Sequence, residues 1–250
     1  AYTPWEWQKF LKEKCEDVGV DFLSTPFDRI AVDFLEELGV EFYKIASFEL
    51  VDIPLIEYVA SKRKPVIMSC GMGSEEEIRE AVEACKRQGN DNIVLLKCCS
   101  QYPAQYEDMN LLTIPKMKED FQTYVGLSDH SMGSLAPIVA VGLGAKVIEK
   151  HVCLSREIEN PDAKFSMEME EFAQMVRDVK NATLVMGKPT YELMEHEKRG
   201  LRTRRSLVAV KDIREGEIFS PENVRSIRPA IGLKPKYYQQ LIGKKAKKAY

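Results

Sequence analysis

The sequence predicts an α/β protein of the (β/α)8 TIM-barrel type that lacks its first two βα units, followed by a small, separate C-terminal domain. Three observations lead there. Short β-branched runs alternate with longer helical patterns from the first residue to about Lys188, polar residues collect where those runs end, and the alternation stops beyond Lys188. Such alternation marks a parallel sheet whose crossovers are helices.

Taken in order, residues 5–18 read as a helix that precedes the first strand, predicted over residues 21–25. A helix over 29–38 leads to a strand over 42–46, and a third strand follows over 65–69. The next helix spans 75–88, and its start is well defined because Ser74 followed by Glu77 forms a capping box. Strands over 93–99 and 123–127, a helix over 135–142 and a strand over 146–151 complete the series. Six strands are too few to close an eight-stranded barrel. An open doubly wound sheet would suit six, but no Gly-rich phosphate fingerprint follows the strand at 21–25. At about 30 residues per unit, the two lacking units would amount to at least about 60 residues.

The domain reading is a partial barrel over residues 1–188, a charged linker over 189–204 and a small domain over 205–250. In the small domain, Leu207-Val208-Ala209-Val210 reads as a strand, Arg214-Glu215-Gly216-Glu217 as a turn and Ser220-Pro221-Glu222-Asn223 as a helix start. A segment this short buries little core alone, so it should lean on a neighbour or on another protomer.

Composition excludes several classes of function. Of 250 residues, 44% are hydrophobic and 30% charged, and the net charge of -3 provides no attraction for nucleic acid or anionic lipid. The basic run at 244–248 reads as a solvated tail. No apolar stretch approaches the roughly 20 residues that cross a bilayer, and no charged-then-apolar leader opens the chain, so a cytoplasmic protein is expected. Six scattered cysteines without CxxC spacing read as reduced core residues.

The strand ends carry the chemistry. In a parallel barrel all these ends meet at one face, where active sites are built. His130 and His151 end consecutive strands, which brings them about 5 Å apart, close enough to share one divalent ion. Two imidazoles leave coordination positions open for substrate oxygen or water, and manganese, magnesium, cobalt or zinc would all suit such a site. His196 reads as a surface residue of the linker. Lys44, Thr25, Ser47, Ser69 and Ser128 form a second constellation, one ammonium with several hydroxyls, as a phosphate or carboxylate anion requires. Serines and threonines also cap helices, but capping does not account for Lys44, a cation within an apolar strand. An anionic ligand, Glu49 or another carboxylate would supply its partner. Glu49, Tyr102 and Asp162 are candidates for holding a polyhydroxylated or acetamido substrate, although a surface turn also explains Asp162.

Together, Ser24-Thr25-Pro26-Phe27-Asp28, Lys44-Ile45-Ala46-Ser47, Gly126-Leu127-Ser128-Asp129-His130, Glu149-Lys150-His151 and Pro161-Asp162 resemble the sialic acid synthase family in order and spacing. Arg204-Arg205-Ser206-Leu207 and Arg225-Ser226-Ile227-Arg228-Pro229 resemble the antifreeze-like (SAF) domain that follows the barrel in that family. The resemblance implies that phosphoenolpyruvate condenses with an amino-sugar aldehyde to give a nine-carbon sugar acid and phosphate. It further implies that His130 and His151 bind manganese or magnesium and act in catalysis with Lys44. Thr25, Lys44, Ser47, Ser69, Ser100 and Ser128 would hold phosphoenolpyruvate, with Ser100 standing where many relatives have asparagine. Glu49, Tyr102 and Asp162 would face the sugar. Arg228 would reach the partner's active site in a domain-swapped homodimer. The opening Ala1-Tyr2-Thr3-Pro4-Trp5-Glu6-Trp7 and the segment from Ile227 to Tyr237 resemble pseudaminic acid synthases more than N-acetylneuraminate or legionaminic acid synthases. Ala230 stands where relatives commonly have glycine, and the lacking strands would supply a glutamate, a lysine and a glutamine to the site. A metal-dependent aldolase or isomerase on the same barrel, and a non-catalytic binding protein, are the competing readings.

Overall fold

A computed structural model describes residues 3–250; Ala1 and Tyr2, and the resemblance read from them, lie outside the described residues. The chain divides into two compact units at the Gly187–Lys188 junction.

The first unit opens with α1 (Trp5–Asp17). Next comes α2 (Arg29–Leu38), which the Asp28 carboxylate caps by accepting from Ala31 N at 2.7 Å and which ends at Gly39 in the left-handed region. β1 (Tyr43–Ile45) and α3 (Ile53–Ser61) follow, the helix capped by Asp52. After β2 (Val66–Ser69), the Ser74–Glu77 capping box starts α4 (Glu75–Arg87), whose glutamates in the first turn and basic residues in the last complement the helix dipole. β3 (Ile93–Cys98), α5 (Thr113–Phe121), β4 (Tyr124–Asp129), α6 (Leu135–Gly142) and β5 (Val147–Lys150) continue the alternation. β6 (Val152–Cys153) and β7 (Met167–Glu168) pair in parallel and bracket a loop, before α7 (Met169–Met186) closes the unit.

β1 to β5 form one parallel sheet in chain order, a curled half-barrel wall covered by the helices. Strand alternation sends Tyr43, Ile45, Val66, Met68, Ile93, Leu95, Val125 and Leu127 into the core shared with the helices. The residues between them, among them Lys44, Ser69, Cys98, Ser128 and Glu149, occupy the opposite, inner face. Gly126 is required on that face, because a Cβ there would lie 2.3 Å from the Val147 carbonyl oxygen and 2.6 Å from Leu96 Cδ2.

The sheet has five strands where the sequence predicts six. Residues 21–25 carry no strand ladder, because β1 pairs with β2 and has no other hydrogen-bonded strand among the described residues. Phe22 still packs against the core, which accounts for the strand-like composition of this segment.

In the second unit, the predicted linker contains a short helix, α8 (Glu195–Gly200), started by the Glu197 carboxylate accepting from Met194 N at 2.8 Å. β8 (Ser206–Ala209) and β9 (Val224–Ile227) pair antiparallel, and a final turn of helix, α9 (Tyr238–Leu241), packs beside them. The helix expected from Ser220 does not form. Asn223 instead accepts from Ser220 N at 2.8 Å and donates to the Ile218 carbonyl at 3.0 Å, so the chain turns directly into β9. No helix among the described residues is long and apolar enough to cross a membrane.

Candidate active site

β4 and β5 are in register, with Ser128 opposite Glu149 and Asp129 opposite Lys150. Alternation puts Ser128 and Glu149 on the inner face, and one residue beyond each strand end stand His130 and His151. Their rings are 5.3 Å apart, centre to centre, with their planes at 55°. Two imidazoles can share one ion across that separation at ordinary metal–nitrogen distances of about 2.0–2.1 Å. His130 Nδ1 lies 2.9 Å from the Cys99 carbonyl oxygen, which can only accept, so Nδ1 carries the hydrogen and Nε2 keeps its lone pair. His151 Nδ1 lies 3.8 Å from Asp162 Oδ2. Burial, helped by His130 alongside, holds the His151 pKa below its ordinary value against the pull of Asp162 and Glu149, and the neutral ring is the ligand form. Burial also pushes His130 down, but its contacts with Cys98 and the Cys99 carbonyl outweigh that and raise it.

Among the described residues no group of three or more His, Cys, Asp or Glu side chains is arranged to hold a metal. The two imidazoles by themselves offer an ion at most two nitrogen ligands, and any further ligands would come from substrate or water.

Lys44 lies in the middle of β1 and is 6% exposed. Its ammonium donates to Ser69 Oγ at 2.8 Å and to the Ile45 carbonyl at 2.9 Å. The ammonium also forms an ion pair with Glu149 Oε2 at 3.5 Å, beyond ordinary hydrogen-bond length. Glu149 Oε1 accepts from Ser128 Oγ at 2.7 Å, so four strands are tied together across the inner face. Ser47 opens a turn after β1, and its Oγ accepts from Gly71 N at 3.0 Å. A Cβ on Gly71 would meet Ser100 Oγ at 2.1 Å and Ser47 Oγ at 2.8 Å, so only glycine lets the backbone approach these two hydroxyls.

A cavity of about 240 Å³ collects Thr25, Lys44, Ser47, Ser69, Tyr102, Ser128, His130 and His151 from six segments of sequence, together with Ala46, Phe48 and Glu149. Ser100 is beside it through its approach to Gly71. Glu49 follows Ser47 in the same turn, and its Oε2 is buried without a hydrogen-bond partner. Asp162 is exposed and lines an adjoining cavity of about 250 Å³ that shares His151. Arg228 belongs to the second unit and is exposed.

The sequence reading missed two residues here. Glu149 lies within a quoted motif, but its link to Lys44 and Ser128 depends on strand register. Phe165 is hidden in a polar loop, yet it is buried, with its ring 5.0 Å from His151 and 5.3 Å from Tyr102. Tyr102 in turn lies 4.2 Å from His130, so two aromatic rings wall the histidine pair.

The chain is similar to known proteins over nearly its whole length. The NeuB family model matches residues 1–191 and the SAF domain model residues 204–249. Pseudaminic acid synthase of Campylobacter jejuni subsp. jejuni serotype O:23/36 (strain 81-176) is 46% identical over 248 residues, which are 99% of this chain and 72% of that protein. Pseudaminic acid synthase of Helicobacter pylori (strain ATCC 700392 / 26695) is 43% identical over 250 residues, 99% of this chain and 73% of that protein. Among solved structures, the N-acetylneuraminic acid (sialic acid) synthetase of Leptospira borgpetersenii serovar Hardjo-bovis in complex with citrate superposes with a TM-score of 0.75 at 34% identity, covering 80% of this chain and 70% of that one.

Proposed function

The chain belongs to the NeuB family, and from that premise we propose that it condenses phosphoenolpyruvate with an amino-sugar aldehyde to give a nine-carbon sialic-acid-like sugar acid, pseudaminic acid in the first instance, with release of phosphate. The observation that carries the proposal is the convergence of the histidine pair and the Lys44 cradle on one cavity.

Manganese or magnesium, when held by His130 and His151, would act as a Lewis acid toward the sugar aldehyde. Lys44 neutralises the anionic cosubstrate, and its third donor, which faces Glu149 Oε2 at 3.5 Å, would turn to a ligand oxygen. The hydroxyls of Thr25, Ser47, Ser69, Ser100 and Ser128 offer that anion further donors and fix its orientation. C3 of phosphoenolpyruvate bonds to the aldehyde carbon as the C=O π bond opens and its oxygen takes a proton to become a hydroxyl; water adds its oxygen to C2, the C2–O bond to phosphate breaks, C2 becomes a ketone, and the two protons of that water go to the new hydroxyl and to the departing phosphate. Glu49, whose buried Oε2 lacks a donor, suits a sugar hydroxyl or amide N–H; Tyr102 lines the cavity itself and Asp162 the adjoining one that shares His151. In the same reading the enzyme works in the cytoplasm on small-molecule substrates as a domain-swapped homodimer, and the exposed Arg228 of one protomer serves the sugar site of the other.

The test is phosphate release by the complete protein from phosphoenolpyruvate with Mn²⁺ and a panel of diacetamido and monoacetamido hexoses, with the product identified by mass. Release that requires both metal and sugar supports the proposal. Absence of release with every sugar, or turnover without phosphoenolpyruvate, refutes it.

A further inference from the structure

His130 and His151 each stand one residue past the last ladder pair of their strands, where sheet hydrogen bonds no longer couple them. What couples them lies on the other face of the sheet. Asp129 and Lys150, the residues immediately before the two histidines, are opposite each other in register and pair at 2.6 Å with side chains 0% and 1% exposed. The pair also encloses the backbone of Ser131, just beyond His130. Asp129 Oδ1 accepts from Ser131 N at 2.8 Å, and Lys150 Nζ donates to the Ser131 carbonyl. The strand carrying His151 thus grips the chain on both sides of His130.

Burying an ion pair is costly, and an apolar pair of similar volume commonly serves stability as well or better. Its evident effect here is geometric: it sets the relative position of two strand ends whose next residues face the cavity. We infer that Asp129 and Lys150 are positioning residues that set the spacing of the His130 and His151 rings for a shared divalent cation. The inference rests on the proposed metal-binding role of the two histidines.

The experiment measures Mn²⁺ binding to the metal-free, complete protein by electron paramagnetic resonance of the free ion. Three variants are compared: Asp129→Leu/Lys150→Met, which replaces the pair with apolar side chains, Asp129→Asn/Lys150→Met, which keeps an acceptor for Ser131 N, and His130→Ala. Loss of outer-shell support typically weakens metal binding about 10- to 100-fold, and that rise in the Mn²⁺ dissociation constant is expected for the apolar double variant. Its melting temperature should fall, because the buried Ser131 N–H and carbonyl lose their partners, while its half-saturating phosphoenolpyruvate concentration, set by Lys44 and by hydroxyls mostly on other strands, should stay within about threefold. The Asp129→Asn/Lys150→Met variant should fall between it and the unaltered protein, and it carries the test if the apolar variant does not fold. If His130→Ala abolishes Mn²⁺ binding while a folded double variant binds the ion normally, the positioning role is wrong. If His130→Ala binds normally, the metal reading itself fails.

Discussion

Replacing Lys44 with methionine removes the charge from the anion cradle while filling nearly the same volume. The ammonium donates to Ser69 Oγ at 2.8 Å and to the Ile45 carbonyl at 2.9 Å, and it is the cation nearest Glu149 Oε2 at 3.5 Å. Truncating one member of a buried, charged hydrogen-bonded pair costs about 2–5 kcal/mol in binding. Glu149 beside Lys44 is 39% exposed in its side chain, so solvent reaches the site and screens the ammonium–anion contact, and the lower part of that range applies, about 2–3 kcal/mol. At 1.4 kcal/mol per tenfold, the half-saturating concentration of phosphoenolpyruvate should rise about 30- to 150-fold. Fold stability should change far less. Two lost hydrogen bonds of about 1 kcal/mol each are offset by relief of the buried ammonium's desolvation, leaving a net effect within about 2 kcal/mol. The assay is phosphate release against phosphoenolpyruvate concentration at saturating metal and sugar, with a thermal melt alongside. A folded variant whose half-saturation point moves less than about threefold would refute the cradle, since that is under about 0.7 kcal/mol.

Three further outcomes are expected. Gly71→Ala forces a Cβ to within 2.1 Å of Ser100 Oγ and 2.8 Å of Ser47 Oγ, and overpacking of this kind costs about 1–3 kcal/mol, so a lower melting temperature should accompany weaker phosphoenolpyruvate binding. Glu49→Gln should raise the half-saturating sugar concentration about tenfold with little change for phosphoenolpyruvate, as steady-state kinetics with each substrate varied in turn will report. Asp28→Ala removes the cap of α2 and should cost about 1 kcal/mol in denaturant unfolding; because Thr25 lies only three residues away, binding of phosphoenolpyruvate serves as the control for spread of the damage.

What the sequence made legible follows from periodicity and local caps. The Ser74–Glu77 box and the helix over 29–38 were legible because caps and apolar spacing act within a few residues. The histidine pair was legible because both residues end consecutive strands, so barrel topology alone brings them together. Residues 21–25 misled because composition reports suitability for a ladder, whereas a strand also needs a backbone partner. Ser220 misled because Ser-Pro-Glu-Asn suits a helix start and a polar turn alike, and the Asn223 side chain decides for the turn. Glu149 and the Asp129–Lys150 pair could not be assigned without register, which fixes which charges meet and on which face. Phe165 escaped because its burial is set by a loop between β6 and β7 that follows no period.

The most direct test of the account is a crystal structure of the complete protein with Mn²⁺ and phosphoenolpyruvate, with the ion located by its anomalous signal. The account predicts an ion about 2.0–2.3 Å from Nε2 of both His130 and His151, with the phosphoenolpyruvate anion within about 3 Å of Lys44 Nζ. An ion bound away from either ring, or phosphoenolpyruvate seated where Lys44 cannot reach it, would contradict the account.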